Sequence, residues 1–380
     1  MASSTRVFAG IPALNQTLYH RLRFSVGDPV ALIEQEGNAT LILRDIEMDR
    51  ARQKARVQQV YCPADFSPSE GLSGDRETAT AQALSEYLRQ HKISDVETDR
   101  SFPMSFVHEV TKAGIELTYN PLLGVNERRA KDEQEIAWLR TAQGTTAKVM
   151  TQACQLVANA SANADGSLQH EGDPLTSERL QALIDIWLLK RGFSNPGSIV
   201  ACGPQASDCH HHGSGPLRTE QPIIIDIFPC DKATRYNGDC TRTVVHGTIP
   251  DAVTRMHQAV VEAKRAGMRA TRIGTTGEAV HRATIEVITQ HGFLAERPTG
   301  ALTSEIPTMT HGTGHGIGLE VHEPPLLDFK GPELVCGDAL TIEPGLYSPL
   351  IGGVRVEDLV IVTETGCESL NPELPEGLEW

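Results

Sequence analysis

No stretch of the sequence approaches the about 20 consecutive apolar residues that a membrane span requires. The opening segment, "MASSTRVFAGIPALNQTLYHRL", lacks the basic region followed by an unbroken apolar run that export requires. Positive charge is scarce. Lys and Arg total 34 against 49 Asp and Glu, and the formal charge of −15 repels a nucleic-acid backbone or an anionic membrane surface. The eight cysteines, at 62, 154, 202, 209, 230, 240, 336 and 367, form no CxxC pair and lack the density of a disulfide-stapled secreted domain. A soluble protein in a reducing cytoplasm, with neither nucleic acid nor membrane as partner, is therefore the expectation.

The chain has 380 residues, 39% of them hydrophobic, which is too long for one ordinary core and points to two domains. In the first part, "PVALIEQEGNATLILR" reads as two strands around an "EGN" turn, and "DIEMDRARQKAR" turns polar and helical. "RETATAQALSEYLRQHKI" predicts a helix with Ala79, Leu84 and Leu88 on or near one face, and "PMSFVHEVTKAGIELTYN" returns to mixed strand and turn character. This alternation describes a compact α/β unit. It holds no glycine-rich phosphate loop and no cluster of reactive side chains.

Character changes near Asn126. Ile136, Leu139, Ala142 and Thr146, followed by Met150, Cys154 and Val157, recur at helical spacing and predict one long helix. "TSERLQALIDIWLLKRGF", capped by Thr176 or Ser177, "DAVTRMHQAVVEAKRAGMRA" and "TTGEAVHRATIEVITQHGF" predict three more. Between them lie the strand-like "PIIIDIF" and "RTVVHG", and "ALTIEPGLYSPLIGGVRVEDLVIVTETG" reads as strands joined by Gly and Pro turns. Helices covering one side of a curved antiparallel sheet would bury both sets of apolar residues.

Four acids sit where acids are costly. Asp226 follows three isoleucines, Asp239 precedes a β-branched run, and Glu343 and Glu357 are embedded in "ALTIEPG" and "GGVRVEDLVIV". Each alone also fits an edge-strand carboxylate facing water, or a pair with Arg355. Together, converging from neighbouring strands, they would repel one another without positive charge between them. His315, in "MTHGTGHGIGLEVHEPP", adds a nitrogen donor. A set dominated by hard oxygen suits a pair of Mn, Co, Fe or Zn ions better than a closed structural zinc site. His315 and His322 are seven residues apart and cannot both face inward on one regular strand, but the surrounding glycines permit turns or bulges. "ASDCHHHGSGPLR" places His210, His211 and His212 ahead of the Asp226 strand, where one imidazole could reach a bound carbonyl. Cys209, Cys230 and Cys240 lie near these residues and read either as thiolate ligands or as buried small hydrophobes.

The motifs "DIFPCDKATRYNGDCTRT", "HGTGHGIGLEVHEPP", "TIEPGLYSP" and "GGVRVEDLVIVT", in this order, resemble the M24 metallopeptidases, whose pita-bread fold is shared by methionine aminopeptidase, aminopeptidase P and prolidase. The resemblance implies a catalytic pita-bread domain over 131–380, a curved antiparallel sheet covered by helices, and a smaller creatinase-type α/β domain over 1–130. It implies Asp226, Asp239, His315, Glu343 and Glu357 as ligands of two divalent ions, manganese first, with Asp239 and Glu357 bridging or bracketing them and Glu343 also moving protons. His322 matches a substrate-contacting histidine, His311 a histidine behind the site, and His210, or else His211, the one that meets the substrate carbonyl. The implied activity is hydrolysis of the N-terminal bond of short peptides, of Xaa-Pro type, in a homodimer. Rival readings are hydrolysis of a non-peptide amide or ester at the same site, or a non-catalytic peptide-binding relative. Two departures stand out: the aspartates are thirteen residues apart rather than the usual eleven, which predicts a longer hairpin turn, and Cys209 replaces a common proline.

Overall fold

The computed structural model describes residues 5–296 and 306–380. Its contacts divide the chain into two compact units, Met1–Arg128 and Arg129–Trp380. Among the described residues no helix is long and apolar enough to cross a membrane.

The first unit is a six-stranded mixed sheet in the order Gln59–Tyr61, Asn38–Ile42, Val30–Gln35, Arg6–Gly10, Asp95–Thr98, Glu116–Tyr119. Side chains alternate between its faces, and both faces are buried. Val7, Ala9, Ala31 and Ile33 pack with Leu84 and Leu88 of the helix Arg76–Gln90, where Ala79 is only half-buried. On the other face Phe8, Leu32 and Leu41 meet Leu18 and Leu22 of the helix Gln16–Leu22. The turn between the second and third strands has Glu36 and Gly37 at positive φ, 51° and 81°, as a two-residue hairpin requires. One expectation fails here. Residues read as mixed strand and turn form the helix Met104–Lys112 before the strand Glu116–Tyr119, because Phe106 and Val110, four apart, bury one helical stripe.

The second unit opens with the helix Glu133–Ala158. Asp132 caps it reciprocally with Glu135, and Leu139, Ala142, Thr146, Met150, Cys154 and Val157 form its buried stripe. Thr176 caps the helix Ser177–Leu189. These two helices cover a three-stranded antiparallel sheet, Ser198–Cys202, Pro222–Ile227 and Cys240–Val245. The helices Asp251–Ala270 and Gly277–Gln290 pack on each other and on the later strands. Those strands form two further sheets. One is ordered Glu323–Leu327, Gly314–Gly316, Ala339–Ile342, Asp358–Val362, Cys367–Ser369, and the other Leu294–Ala295, Thr308–Met309, Gly345–Ser348, Gly352–Arg355. Each sheet turns one face to helices, which decides where its polar residues go.

Candidate metal centre

Strand parity assembles the site. Ile223, Ile225 and Ile227 pack toward the first helix pair, so the alternate residues Ile224 and Asp226 take the opposite face, where Ile224 meets Tyr347. Cys240 and Val244 likewise face the helices, leaving Thr241 for the site side, directly opposite Asp226. Asp239 lies two residues before Thr241 and shares its face. In the later sheet Leu340, Ile342, Val360 and Val362 pack with Val280 of a helix, which turns Thr341, Glu343 and Glu357 the other way.

The thirteen-residue separation of the aspartates is absorbed outside the strands. Cys230 bridges Asn237, Asp231 caps the turn by accepting from Ala233 N–H and Thr234 O–H, and Arg235 takes a positive φ of 68°. The turn is longer, and the register of Asp226 against Thr241 is regular.

His315 and His322 do not share a strand. His315 is on the arm Gly314–Gly316 of a hairpin and His322 is in the bend immediately before its other arm, Glu323–Leu327; the register shifts after His315, and the two ring centroids come within 4.2 Å. A Cβ on Gly314 would stand 1.9 Å from the Thr341 carbonyl oxygen, and one on Gly316 would stand 2.4 Å from that of Pro324. These two glycines are needed for close backbone approach on either side of the histidine.

Ligating atoms of Asp239, His315 and Glu357 all lie within 4.8 Å of one another. His315 Nε2 is 3.3 Å from Glu343 Oε1 and 3.8 Å from Asp239 Oδ2. Its Nδ1 lies 3.0 Å from the Gly316 carbonyl, which assigns the proton to Nδ1 and turns the Nε2 lone pair toward the acids. Asp226 Oδ2 accepts from Arg355 Nη2 at 2.7 Å, while its buried Oδ1 has no hydrogen-bond partner among the described residues. Thr241 donates to Glu357 Oε2 at 2.8 Å, and the helix residue Gln143 holds the Asp239 backbone at both N–H and C=O. Burial, then the Glu357, Asp226 and Glu343 charges, push Asp239 well above the usual carboxylate range. Glu357 is raised in the same way by burial and by Glu343 and Asp226, and Glu343 chiefly by burial. Burial lowers His315, His311 and His322.

This donor set fits divalent cations. Four carboxylates and one imidazole converge, burial and neighbouring carboxylates drive Asp239, Glu343 and Glu357 toward protonation, and one buried carboxylate oxygen has no donor among the described residues. The sole guanidinium among them, Arg355, sits on one flank.

All eight residues singled out in the sequence line one cavity of about 420 Å³, together with Pro196, Ile199, Phe228, Val321, Leu326 and Asp328. Of the three adjacent histidines, His210 and His212 line it, whereas His211 accepts the Gly213 N–H through Nδ1. Asp208, Cys209 and His210 form a second group with ligating atoms within 4.8 Å, on the more exposed side. Cys240 is buried away from the cavity. Sequence reading missed Tyr347 and Thr241. Tyr347 O–H donates to His311 Nε2 at 2.7 Å and accepts from Arg355 Nη1 at 3.0 Å, while Arg355 Nε donates to Thr241 at 3.2 Å. Their signal was only parity: Tyr347 is four residues after Glu343, and Thr241 two after Asp239.

The profile of metallopeptidase family M24 matches residues 138–364. The chain belongs to this family. A probable dipeptidase PepE of Mycobacterium tuberculosis is 39% identical over 176 residues, 46% of this chain and 43% of that protein. A Xaa-Pro dipeptidase of Pyrococcus horikoshii is 26% identical over 289 residues, 75% of each. The chain thus spans less than half the length of the mycobacterial relative. Among solved structures, an X-Pro aminopeptidase from Thermotoga maritima superposes with a TM-score of 0.78 at 22% identity, covering 98% of this chain and 96% of that one. Aminopeptidase P from E. coli gives 0.75 at 19%, covering 100% and 93%. The shared architecture is the two-domain pita-bread arrangement expected from the motifs.

Proposed function

We propose that the protein is a metal-dependent hydrolase that cleaves the N-terminal peptide bond of short peptides, with a preference for proline after that bond. The observation that carries this reading is the convergence of Asp226, Asp239, His315, Glu343 and Glu357 in one cavity that also presents free imidazoles. These five residues would hold two divalent ions, with manganese the first choice. When bound, such a pair polarises a carbonyl and lowers the pKa of a shared water.

The chain's own groups supply the rest. Glu343, partly exposed to the cavity and with a raised carboxyl, takes up a proton and returns it to the leaving nitrogen. His210 and His322 donate hydrogen bonds to the substrate carbonyl oxygen as it gains charge. His311 is fixed by Tyr347 and its own Nδ1 contact to Gly312 O at 2.7 Å, and holds the wall behind Glu343. The proline preference is supported by the Xaa-Pro names of relatives in the family. A catalytic domain over 131–380, a creatinase-type domain over 1–130, a homodimer and a cytoplasmic setting complete the reading.

The test is a cleavage scan of Xaa-Pro dipeptides, Xaa-Pro-Xaa tripeptides and proline-free controls, after metal stripping and after return of Mn, Co or Zn. Asp239→Ala and Glu357→Ala are expected to lose at least about a hundredfold in kcat/KM and to bind less metal. Undiminished cleavage by stripped protein, or by either variant, would overturn the proposal.

A further inference from the structure

One metal-ligating group stands apart from the five-residue centre. Asp208, Cys209 and His210 follow the short helical turn Gly203–Ser207, and each offers a ligating atom within 4.8 Å of the other two. Donors on one tetrahedral zinc stand roughly 3.3–3.8 Å apart, from metal–ligand lengths of about 2.0–2.3 Å. Small side-chain rotations therefore close the set. Cys209 is half-buried and its two neighbours are exposed, which leaves a fourth position to water.

The backbone of this loop is held while its donor atoms stay free. Arg355 Nη1 donates to the Cys209 carbonyl at 3.3 Å, the His210 N–H to Asp208 Oδ1 at 3.0 Å, and the His211 N–H to the Asp208 carbonyl at 3.1 Å. Among the described residues neither the Cys209 thiol, nor the His210 ring, nor Asp208 Oδ2 makes a hydrogen bond. Cys209 and His210 also line the cavity, so the loop meets the substrate space at one edge. A sulfur, a nitrogen and an oxygen suit a thiophilic divalent ion such as zinc, whereas manganese favours the carboxylate-rich centre.

We propose that Asp208, Cys209 and His210 form an inhibitory site for a thiophilic divalent cation, separate from the centre of Asp226, Asp239, His315, Glu343 and Glu357. The inhibitory role rests on the peptide-hydrolase reading above, in which His210 donates to the substrate carbonyl oxygen. Binding forms a metal–sulfur bond and releases the Cys209 thiol proton to water. It also occupies the lone pair of one His210 ring nitrogen and fixes the ring on the loop, so the imidazole no longer turns to the carbonyl. Zinc also competes with manganese at most donor sets. The thiol tells the two routes apart.

The test titrates zinc into the Mn-loaded protein while bound manganese and cleavage of a Xaa-Pro-Xaa tripeptide are followed. One equivalent of zinc is expected to bind with manganese retained and to lower kcat/KM at least about tenfold. Cys209→Ala is expected to lose that equivalent and, relative to its own Mn-loaded activity, to tolerate at least about tenfold more zinc. Cobalt in place of zinc gives a sulfur-to-metal charge-transfer band in the near ultraviolet, which a centre without sulfur cannot give and C209A abolishes. Should C209A fold poorly, slower alkylation of Cys209 by iodoacetamide in the presence of zinc, mapped by mass spectrometry on the unmodified protein, reports the same bond. Inhibition that tracks manganese loss and persists in C209A, a cobalt spectrum without the band, or alkylation that zinc does not slow overturns the inference. A band without loss of cleavage overturns the inhibitory role. If the Mn-loaded protein cleaves no peptide, the peptidase reading and the inhibitory role fall together, and the band and the alkylation still decide whether the metal site exists.

Discussion

At the scale of single residues, the site is a competition among buried acids in which Arg355 decides the balance. Its guanidinium is 2.7 Å from Asp226 Oδ2, and that acid's other oxygen already has no donor among the described residues. Replacing Arg355 by Met would leave a buried carboxylate wholly uncompensated, which costs on the order of 3 kcal/mol. The expected result is a metal-free protein destabilised by about that amount in urea, with much of the loss recovered on adding manganese, because a bound cation takes over the compensation. Equal destabilisation with and without metal would mean that Arg355 acts only on the surrounding packing. The four acids stood out in the sequence as ligand candidates because a carboxylate directly after "PIII" or within "ALTIEPG" contradicts its apolar neighbours. Arg355 remained ambiguous in the sequence, since proximity to Glu357 did not reveal that its partner would be Asp226, 129 residues away. Tyr347 and Thr241 carry no such contradiction: a buried tyrosine or threonine on a strand looks like ordinary core.

At the scale of elements, the glycines around His315 convert a strand problem into a hairpin. The two histidines could not share a regular strand, and the structure resolves this with His315 on one arm, a shifted register after it, and His322 in the bend that leads into the other arm. Gly314→Ala tests the device. Its methyl would meet the Thr341 carbonyl oxygen, a backbone atom that cannot swing away, so the strands Gly314–Gly316 and Ala339–Ile342 must separate. A loss of about 3 kcal/mol in unfolding free energy is expected, at the upper end for overpacking, together with weaker metal uptake as His315 moves. A stable variant with unchanged metal affinity would show that the approach is not needed. The helix Met104–Lys112 marks the limit of reading by local pattern. Phe106, Val107, Val110 and Thr111 are β-branched or aromatic and favour strands on their own, and the Phe106–Val110 stripe wins only because a core lies beneath it. Long helices such as Glu133–Ala158 were legible because their period repeats over many turns and a capping box marks the start.

At the scale of the whole molecule, each unit carries enough core to stand by itself. In Met1–Arg128 both faces of one sheet are covered, with Val7, Ala9 and Ile33 under the helix Arg76–Gln90 and Phe8, Leu32 and Leu41 under the helix Gln16–Leu22. Polar ties close the unit around that core. Arg21, lying 4.2 Å over the Phe8 ring, joins Glu34 to Glu127 near the end of the unit, and the Thr98 hydroxyl donates to the Val7 carbonyl across the parallel strands. Burial alone would raise the Glu127 carboxyl, but its own backbone N–H, Arg21 and the Gly124 N–H hold it below the usual range. A fragment of residues 1–128 is therefore expected to fold without the remainder and to unfold cooperatively with about 5–15 kcal/mol of stability, the range of ordinary domains. Because the folded-state pKa of Glu127 lies below its unfolded value, its contribution is fully present above that unfolded value, near 4.5, and is lost as pH falls through the folded pKa. Glu127→Gln should flatten the acid limb of the fragment's stability curve. Circular dichroism with urea titration from neutral pH downward measures both. A broad, non-cooperative transition would mean that this sheet needs the metal-centre unit to hold its form, and the two-domain description would have to give way to a single folding unit.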